Sequence, residues 1–298
     1  MEIKTILQNQ RDFFATGKTK DFDFRIEQLK ILRKAISENE EKILNAVYND
    51  LRRPKFDAYI TETGACFEHI SHTIKNIKKW ACPEKVKGPR SFFFSKGKII
   101  YEPFGITLII GPWNYPFALA ICPLIAAIGA GNCAVIKPSE ISSHTAQVID
   151  EMISKYFKPE YIAVMQGNAA FTGELLTEKF DFIFFTGGTK VGKVIMEAAA
   201  KNLTPLALEL GGKSPCIIDK DVDVEKAAKR ITWGKFLNAG QTCVAPDYLL
   251  VHKDVKGKII SAIKDKICKF YGNDIKKSAG FARIINKNHF ERLSAYLK

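Results

Sequence analysis

DFIFFTGGTKVGK, Asp181 to Lys193, decides the fold. A short apolar run ends in two glycines, and a helical pattern starts directly after them. Such a join sets backbone N–H groups and the positive end of a helix at the tip of a strand. The same alternation recurs on both sides. From Gly105 to Leu210 the chain runs ITLIIG, a helix from Phe117, CAVIKP, a helix from Ser143, YIAVMQ, a short helix, DFIFFTG, a helix to Lys201, and PLALEL. Continuous apolar runs separated by helices are what a parallel sheet covered on both faces produces. The class expected is α/β: a Rossmann-like parallel-sheet dinucleotide domain. Its glycine-rich turn is GGTKVG, Gly187 to Gly192, which is not the standard G-x-G-x-x-G. On spacing alone it is equally a plain strand-to-helix turn.

Before this core, Glu2 to Trp80 is helical throughout, an N-terminal layer suited to covering the sheet. Ile43, Leu44, Val47, Tyr48 and Leu51 form one stripe before Pro54, and Tyr59, Thr63, Phe67, Ile70, Ile74 and Ile77 form another. His69 and His72 share a face there, but with no third ligand in view they read as polar surface, and no metal is expected. Cys82 to Tyr101 changes character, with Pro83, Gly88, Pro89 and Gly97 around the aromatic run SFFFS. After Gly212 a second α/β unit begins: SPCIID, a helix from about Asp223 to Phe236, YLLVH, a helix with Ile259, Ile260, Ile263 and Ile267 on one face, and a last helical stretch from Asn286.

Three stretches carry chemistry. LNAGQTCVA, Leu237 to Ala245, sets Cys243 in a turn of small residues where a substrate and backbone N–H groups can approach the sulfur. LELGGKSP, Leu208 to Pro215, puts Glu209 near a strand end, a candidate base. GPWNYPF, Gly111 to Phe117, offers the Asn114 amide as a hydrogen-bond donor between a strand and a helix. A nucleophile, a base and a donor are the parts of covalent carbonyl chemistry. Each has a plainer reading: Cys243 as a packing residue, Glu209 tied to Lys213, Asn114 bonding its own backbone in a turn.

Together with KPSE (Lys137 to Glu140) and FTGGTKVGK (Phe185 to Lys193), in this order, these stretches resemble the aldehyde dehydrogenase superfamily. GPWNYPF and MEAAAKNLTPLALELGGKSP resemble its class 3 branch, the fatty and aromatic aldehyde dehydrogenases. The resemblance implies oxidation of aldehydes to carboxylic acids, with Cys243, Glu209 and Asn114 catalytic. It implies NAD or NADP held by Lys137, Glu140, Thr186, Gly187, Gly188, Thr189, Val191 and Gly192. It further implies a dinucleotide domain over 1–81 and 102–210, a hairpin or oligomerisation segment over 82–101, and a catalytic domain over 211–298 that is expected to be incomplete. A homodimer is expected of the completed protein; a hairpin packed on its own domain is the alternative for 82–101. The other readings of function are a catalytically silent NAD-binding remnant and a CoA-linked relative, against which Glu209 argues.

Composition sets the remaining bounds. The chain has 298 residues, 46% hydrophobic and 26% charged, which is a globular rather than a disordered composition. The formal net charge is +13, but no run of five like charges and no basic, aromatic-interleaved motif accompanies it, so nucleic acid is not an expected partner. The charge does suit an anionic cofactor. Seven cysteines without C-x-x-C spacing fit reduced thiols in the cytoplasm. No secretory signal starts the chain, and the longest apolar stretch, Phe117 to Ala130, is broken by Pro123 and Gly129 and too short to span a membrane.

Overall fold

The computed structural model describes residues 2–88, 91 and 94–297. The chain opens with helices α1 (Ile3–Ala15), α2 (Phe22–Leu51), α3 (Lys55–Ala58) and α4 (Gly64–Trp80). Asp21 starts α2 by accepting the Phe24 N–H, and Arg52 ends it in the left-handed conformation. Between α3 and α4 the helix widens into a π-turn over Tyr59–Thr63, closed by the Gly64 N–H on the Tyr59 carbonyl. A Cβ on Gly64 would stand 2.9 Å from that carbonyl oxygen, so a glycine permits the turn. The extra residue moves the buried face back by one, from Tyr59 to Ala58, and this corrects the stripe expected from the sequence: Tyr59 is exposed. Tyr48 is also exposed, with the Arg52 guanidinium over its ring.

Strands β1 (Glu84–Val86) and β2 (Gly97–Ile99) pair antiparallel as a hairpin. Pro89 and two aromatics of the SFFFS run, Phe92 and Phe93, lie outside the described residues. The main sheet follows: β3 (Ile106–Ile110), α5 (Ala118–Ala130), β4 (Cys133–Lys137), α6 (Ser143–Tyr156), β5 (Ile162–Val164), α7 (Ala169–Leu175), β6 (Phe182–Thr186), α8 (Thr189–Ala200) and β7 (Leu206–Glu209). All five strands are parallel, in the order β5-β4-β3-β6-β7. This is the doubly wound order expected of a dinucleotide fold. β3 and β4 are buried along their whole length, which is why they are uninterrupted apolar runs. β7, the edge strand, is only half-buried, and its Glu209 is exposed rather than enclosed. Helices α5 and α6 lie on β3, β4 and β5 and are covered in turn by α4 and α2.

The remaining unit comprises β8 (Pro215–Ile218), α9 (Val224–Phe236), β9 (Tyr248–Val251), α10 (Lys256–Tyr271) and α11 (Lys287–Ala295). β8 and β9 pair in parallel, and Ile218, Ile231, Val255 and Ile259 form a small core between strands and helices. Ile260, placed by the sequence pattern on that inner face, points outward and is exposed. Among the described residues no helix is long and apolar enough to cross a membrane.

Candidate active site

Parallel strands put all their C-terminal ends on one edge, and a doubly wound sheet opens a crevice there where the strand order reverses, between β3 and β6. Four of the quoted motifs share this edge. KPSE follows β4, GPWNYPF follows β3, GGTKVG follows β6, and Glu209 closes β7.

On the β6 side the glycines have separate duties. The Gly187 N–H donates to the Glu209 carbonyl at 2.9 Å, and a Cβ on Gly187 would strike the Phe185 ring. A Cβ on Gly192 would stand 2.8 Å from the Leu210 side chain, so this position lets α8 lie close to the sheet. Gly188 caps α8 without a side-chain bond, and a Cβ there would meet nothing within 4 Å. The first turn of α8 also lacks an acidic residue. Unpaired N–H groups facing open space make a phosphate site of ordinary kind. Thr186 ends β6 with its hydroxyl buried and unpartnered, a polar atom that a ligand in the crevice could satisfy. Val191 is half exposed beside it. Lys137 is buried, and its ammonium lies 2.6 Å from the Glu140 carboxylate, which is itself partly open to solvent. These residues fit a dinucleotide.

Cys243 is exposed, on a loop held from three directions. From the β7 side, Gly212 lies so close that a Cβ would be 1.9 Å from the Cys243 carbonyl oxygen. Gly212→Ala is therefore expected to push the cysteine loop away and cost about 1–3 kcal/mol, read as a lower urea midpoint and a changed iodoacetamide labelling rate at Cys243. Wild-type values for both would show that the loop is not seated on this glycine. From the β3 side, the Asn114 amide donates to the Gln241 carbonyl at 2.9 Å, and the Tyr115 hydroxyl shares a 2.5 Å hydrogen bond with Thr242. Burial pushes the Tyr115 hydroxyl up from its ordinary range, against the pull of the Thr242 bond and the nearby Arg53 charge. From the far side, the Gln241 amide donates to the Asn238 and Arg283 carbonyls, and its oxygen accepts the Ile285 N–H.

The loop itself is strained. Asn238 and Ala239 both have φ of 54° and Gly240 follows at 78°, three successive left-handed residues of which only the last is a glycine. Asn238 is buried and donates to the carbonyls of Asn114, at 2.9 Å, and Gln241, at 3.2 Å. Its amide oxygen accepts from Arg53 at 3.0 Å. Arg53 is wholly buried; it also donates to the Asn114 carbonyl, lies 4.5 Å from the Tyr115 ring centre and pairs with Glu62 at 2.6 Å. Glu62, equally buried, accepts the Phe117 and Ala118 N–H groups at the start of α5. Burial pushes its carboxyl up, opposed by Arg53 and by these backbone donors.

The Asn114 loop, the Cys243 loop and the Gly212 turn after β7 thus converge, and the plainer readings of two side chains do not describe the geometry. The Asn114 amide reaches another segment, not its own turn, and Lys213 pairs with Asp247 at 3.0 Å, not with Glu209. The Glu209 carboxylate makes no hydrogen bond or ion pair with another described residue. Sequence reasoning missed Arg53, Glu62, Asn238 and Gln241. The last two stand inside the cysteine stretch LNAGQTCVA, where nothing in the residue types marks them out.

The whole chain, residues 1–298, matches the aldehyde dehydrogenase family. It is 46% identical to the mouse (Mus musculus) enzyme called aldehyde dehydrogenase, dimeric NADP-preferring, over 98% of this chain and 64% of that one. It is also 46% identical to the 4,4'-diaponeurosporen-aldehyde dehydrogenase of Staphylococcus aureus, over 99% of this chain and 64% of the relative. The solved substrate-bound AldH of Staphylococcus aureus superposes with a TM-score of 0.95 at 45% identity, covering 100% of this chain and 65% of that structure. The chain spans less than two thirds of the length of each of the three. With its doubly wound sheet, its glycine turn and the converging Asn114 and Cys243 loops, the chain belongs to the aldehyde dehydrogenase family.

Proposed function

We propose that the protein oxidises aldehydes to carboxylic acids with NAD(P)+, using Cys243 as nucleophile. The observation that carries this reading is the 2.9 Å bond from the Asn114 amide to Gln241, which fixes a donor beside the nucleophile's own loop and leaves its second N–H without a partner among the described residues. The Cys243 thiolate adds to the aldehyde carbon and forms a thiohemiacetal. The developing oxyanion takes hydrogen bonds from that free Asn114 N–H and from the Cys243 backbone N–H, each worth about 3 kcal/mol when well placed. When bound, NAD(P)+ supplies the hydride acceptor that converts the adduct on Cys243 to a thioester. Glu209 takes a proton from water, which attacks the thioester carbon and releases the acid and the thiolate. Its exposed, unpaired carboxylate suits a base that must reach a water molecule.

The cofactor's phosphates would lie on the N–H groups of Gly188, Thr189 and the first turn of α8, with Gly187, Val191 and Gly192 shaping that turn. The Thr186 hydroxyl faces the same crevice edge, and Lys137 with Glu140 would hold ribose hydroxyls. A relative named NADP-preferring supports both cofactors as candidates. We further assign residues 1–81 and 102–210 to the cofactor domain, 82–101 to a hairpin used in pairing with a second copy, and 211–298 to the catalytic domain. The relative named dimeric supports a homodimer. Seven free cysteines support a cytoplasmic setting.

The test is pre-steady-state formation of NAD(P)H with a medium-chain and an aromatic aldehyde. Glu209→Gln is expected to keep the first-turnover burst and lose most of the steady rate, because an amide cannot accept the proton. Asn114→Ala is expected to slow the burst itself by about 10²-fold. Equal loss of the burst in both variants would overturn this division of labour.

A further inference from the structure

We infer that Arg53 is a positioning residue for the oxyanion site, acting through Asn238 and Asn114; this deepens the reading of Cys243 and Asn114 given above and rests on it. The argument is one of donors and acceptors. An asparagine amide can be turned over in place, exchanging a donor for an acceptor at almost no steric cost. Asn238 stands between two carbonyl oxygens, those of Asn114 and Gln241, and both need a donor. On its other side, 3.0 Å away, stands Arg53 Nε, which can only donate. The two carbonyls and Arg53 therefore select the same orientation, and Arg53 supplies the donor that the inward-facing oxygen needs: the Asn238 oxygen lies toward the guanidinium and its NH2 toward the two carbonyls.

That orientation closes a ring. Asn238 Nδ2 bonds the Asn114 and Gln241 carbonyls, and Asn114 Nδ2 bonds the same Gln241 carbonyl. Arg53 bonds the Asn114 carbonyl directly as well. The backbone and side chain of Asn114 are thus both fixed, and its remaining N–H is aimed by the ring rather than by solvent. With the Arg53 donors gone, the buried Asn238 oxygen and the Asn114 carbonyl each lose a partner, the ring is held from one side only, and the Asn114 amide loses its aim. Glu62 holds the guanidinium in place at 2.6 Å, and the Tyr115 ring covers its face.

The test separates an oxyanion from a nucleophile without needing the cofactor. p-Nitrophenyl acetate acylates Cys243: the C–S bond forms, the carbonyl oxygen carries the transient negative charge, and p-nitrophenolate leaves. Iodoacetamide alkylates the same sulfur by displacing iodide, with no oxyanion. Both rates are followed by mass spectrometry at Cys243, with the exposed Cys82 and Cys268 as internal references. Since Arg53→Met alone would bury an unpaired Glu62, the variant is the neutral pair Arg53→Met/Glu62→Gln, with Arg53→Lys as the conservative control. The expected result is that the paired variant loses about 10²-fold in acylation of Cys243, while alkylation stays within about twofold and Arg53→Lys, whose ammonium has N–H donors for the Asn238 oxygen, the Asn114 carbonyl and Glu62, keeps most of the acylation rate. Acylation at the wild-type rate in the paired variant would overturn the inference, and so would a parallel fall in both rates, which is the mark of a merely structural role. If wild-type Cys243 were acylated no faster than Cys82 and Cys268, the functional reading itself would fall, and this one with it.

Discussion

Cys243→Ala is expected to remove aldehyde-dependent NAD(P)H formation, by on the order of 10⁴-fold or more, while cofactor affinity stays as in the wild type. Every bond-making step of the proposed route passes through this sulfur, and none of the neighbouring side chains can replace it. Thr242, one residue away, is engaged with Tyr115, and the other six cysteines lie elsewhere: Cys66 and Cys133 are buried, and burial pushes the Cys133 thiol up to about 12, where it is a poor nucleophile. The glycine turn and the Lys137–Glu140 pair are untouched by the change, so cofactor titration followed by fluorescence serves as the control for folding. Cys268→Ala, an exposed thiol on α10, should behave as wild type. Turnover in Cys243→Ala within tenfold of the wild type would dismiss the nucleophile.

Glu62→Ala should be among the most destabilising single changes in the protein, costing about 3–5 kcal/mol. Both members of the Arg53–Glu62 pair are fully buried, so deleting the carboxylate leaves a buried guanidinium without its ion-pair partner. It also strips the Phe117 and Ala118 N–H groups of their acceptor at the start of α5. Equilibrium unfolding in urea measures the loss. A change below about 1 kcal/mol would place the pair among those ion pairs whose desolvation cancels their attraction even when broken. The paired neutral variant, Arg53→Met/Glu62→Gln, should recover a large part of the stability, since it removes both charges together.

The sheet was legible in the sequence because burial on both faces leaves a mark that periodicity cannot hide: Ile106–Ile110 and Cys133–Lys137 are apolar without interruption, and both are wholly buried. The glycine turn was visible for the opposite reason, since only residues without a Cβ fit at Gly187 and Gly192. The hub under the nucleophile was not visible. Arg53 stands in the short link between α2 and α3 and Glu62 in the π-turn, places where charges normally face water, and a charged residue there carries no sign of which partner 185 positions away will accept it. The π-turn compounded this, because a one-residue widening moves the buried face without changing the composition, and it misdirected the reading of Tyr59. Asn238 was hidden differently: a left-handed asparagine or alanine looks in sequence like any other small residue.

The span between Arg53 and Asn238 also bears on how the protein is made. At a translation speed of roughly 5–20 residues per second, Asn238 leaves the ribosome about ten to forty seconds after Arg53, since 185 residues separate them. Through that interval Arg53 has Glu62 beside it in the nascent chain, but the Asn238 oxygen that its Nε will meet does not yet exist. The Cys243 loop, in turn, is made when Arg53 and Asn114 are already part of the chain. Its three left-handed residues are held on one side by Arg53 and Asn114, made well before them, and on the other by Arg283 and Ile285, made about forty residues later, so the loop's full set of holding bonds is available only once that later stretch has been made.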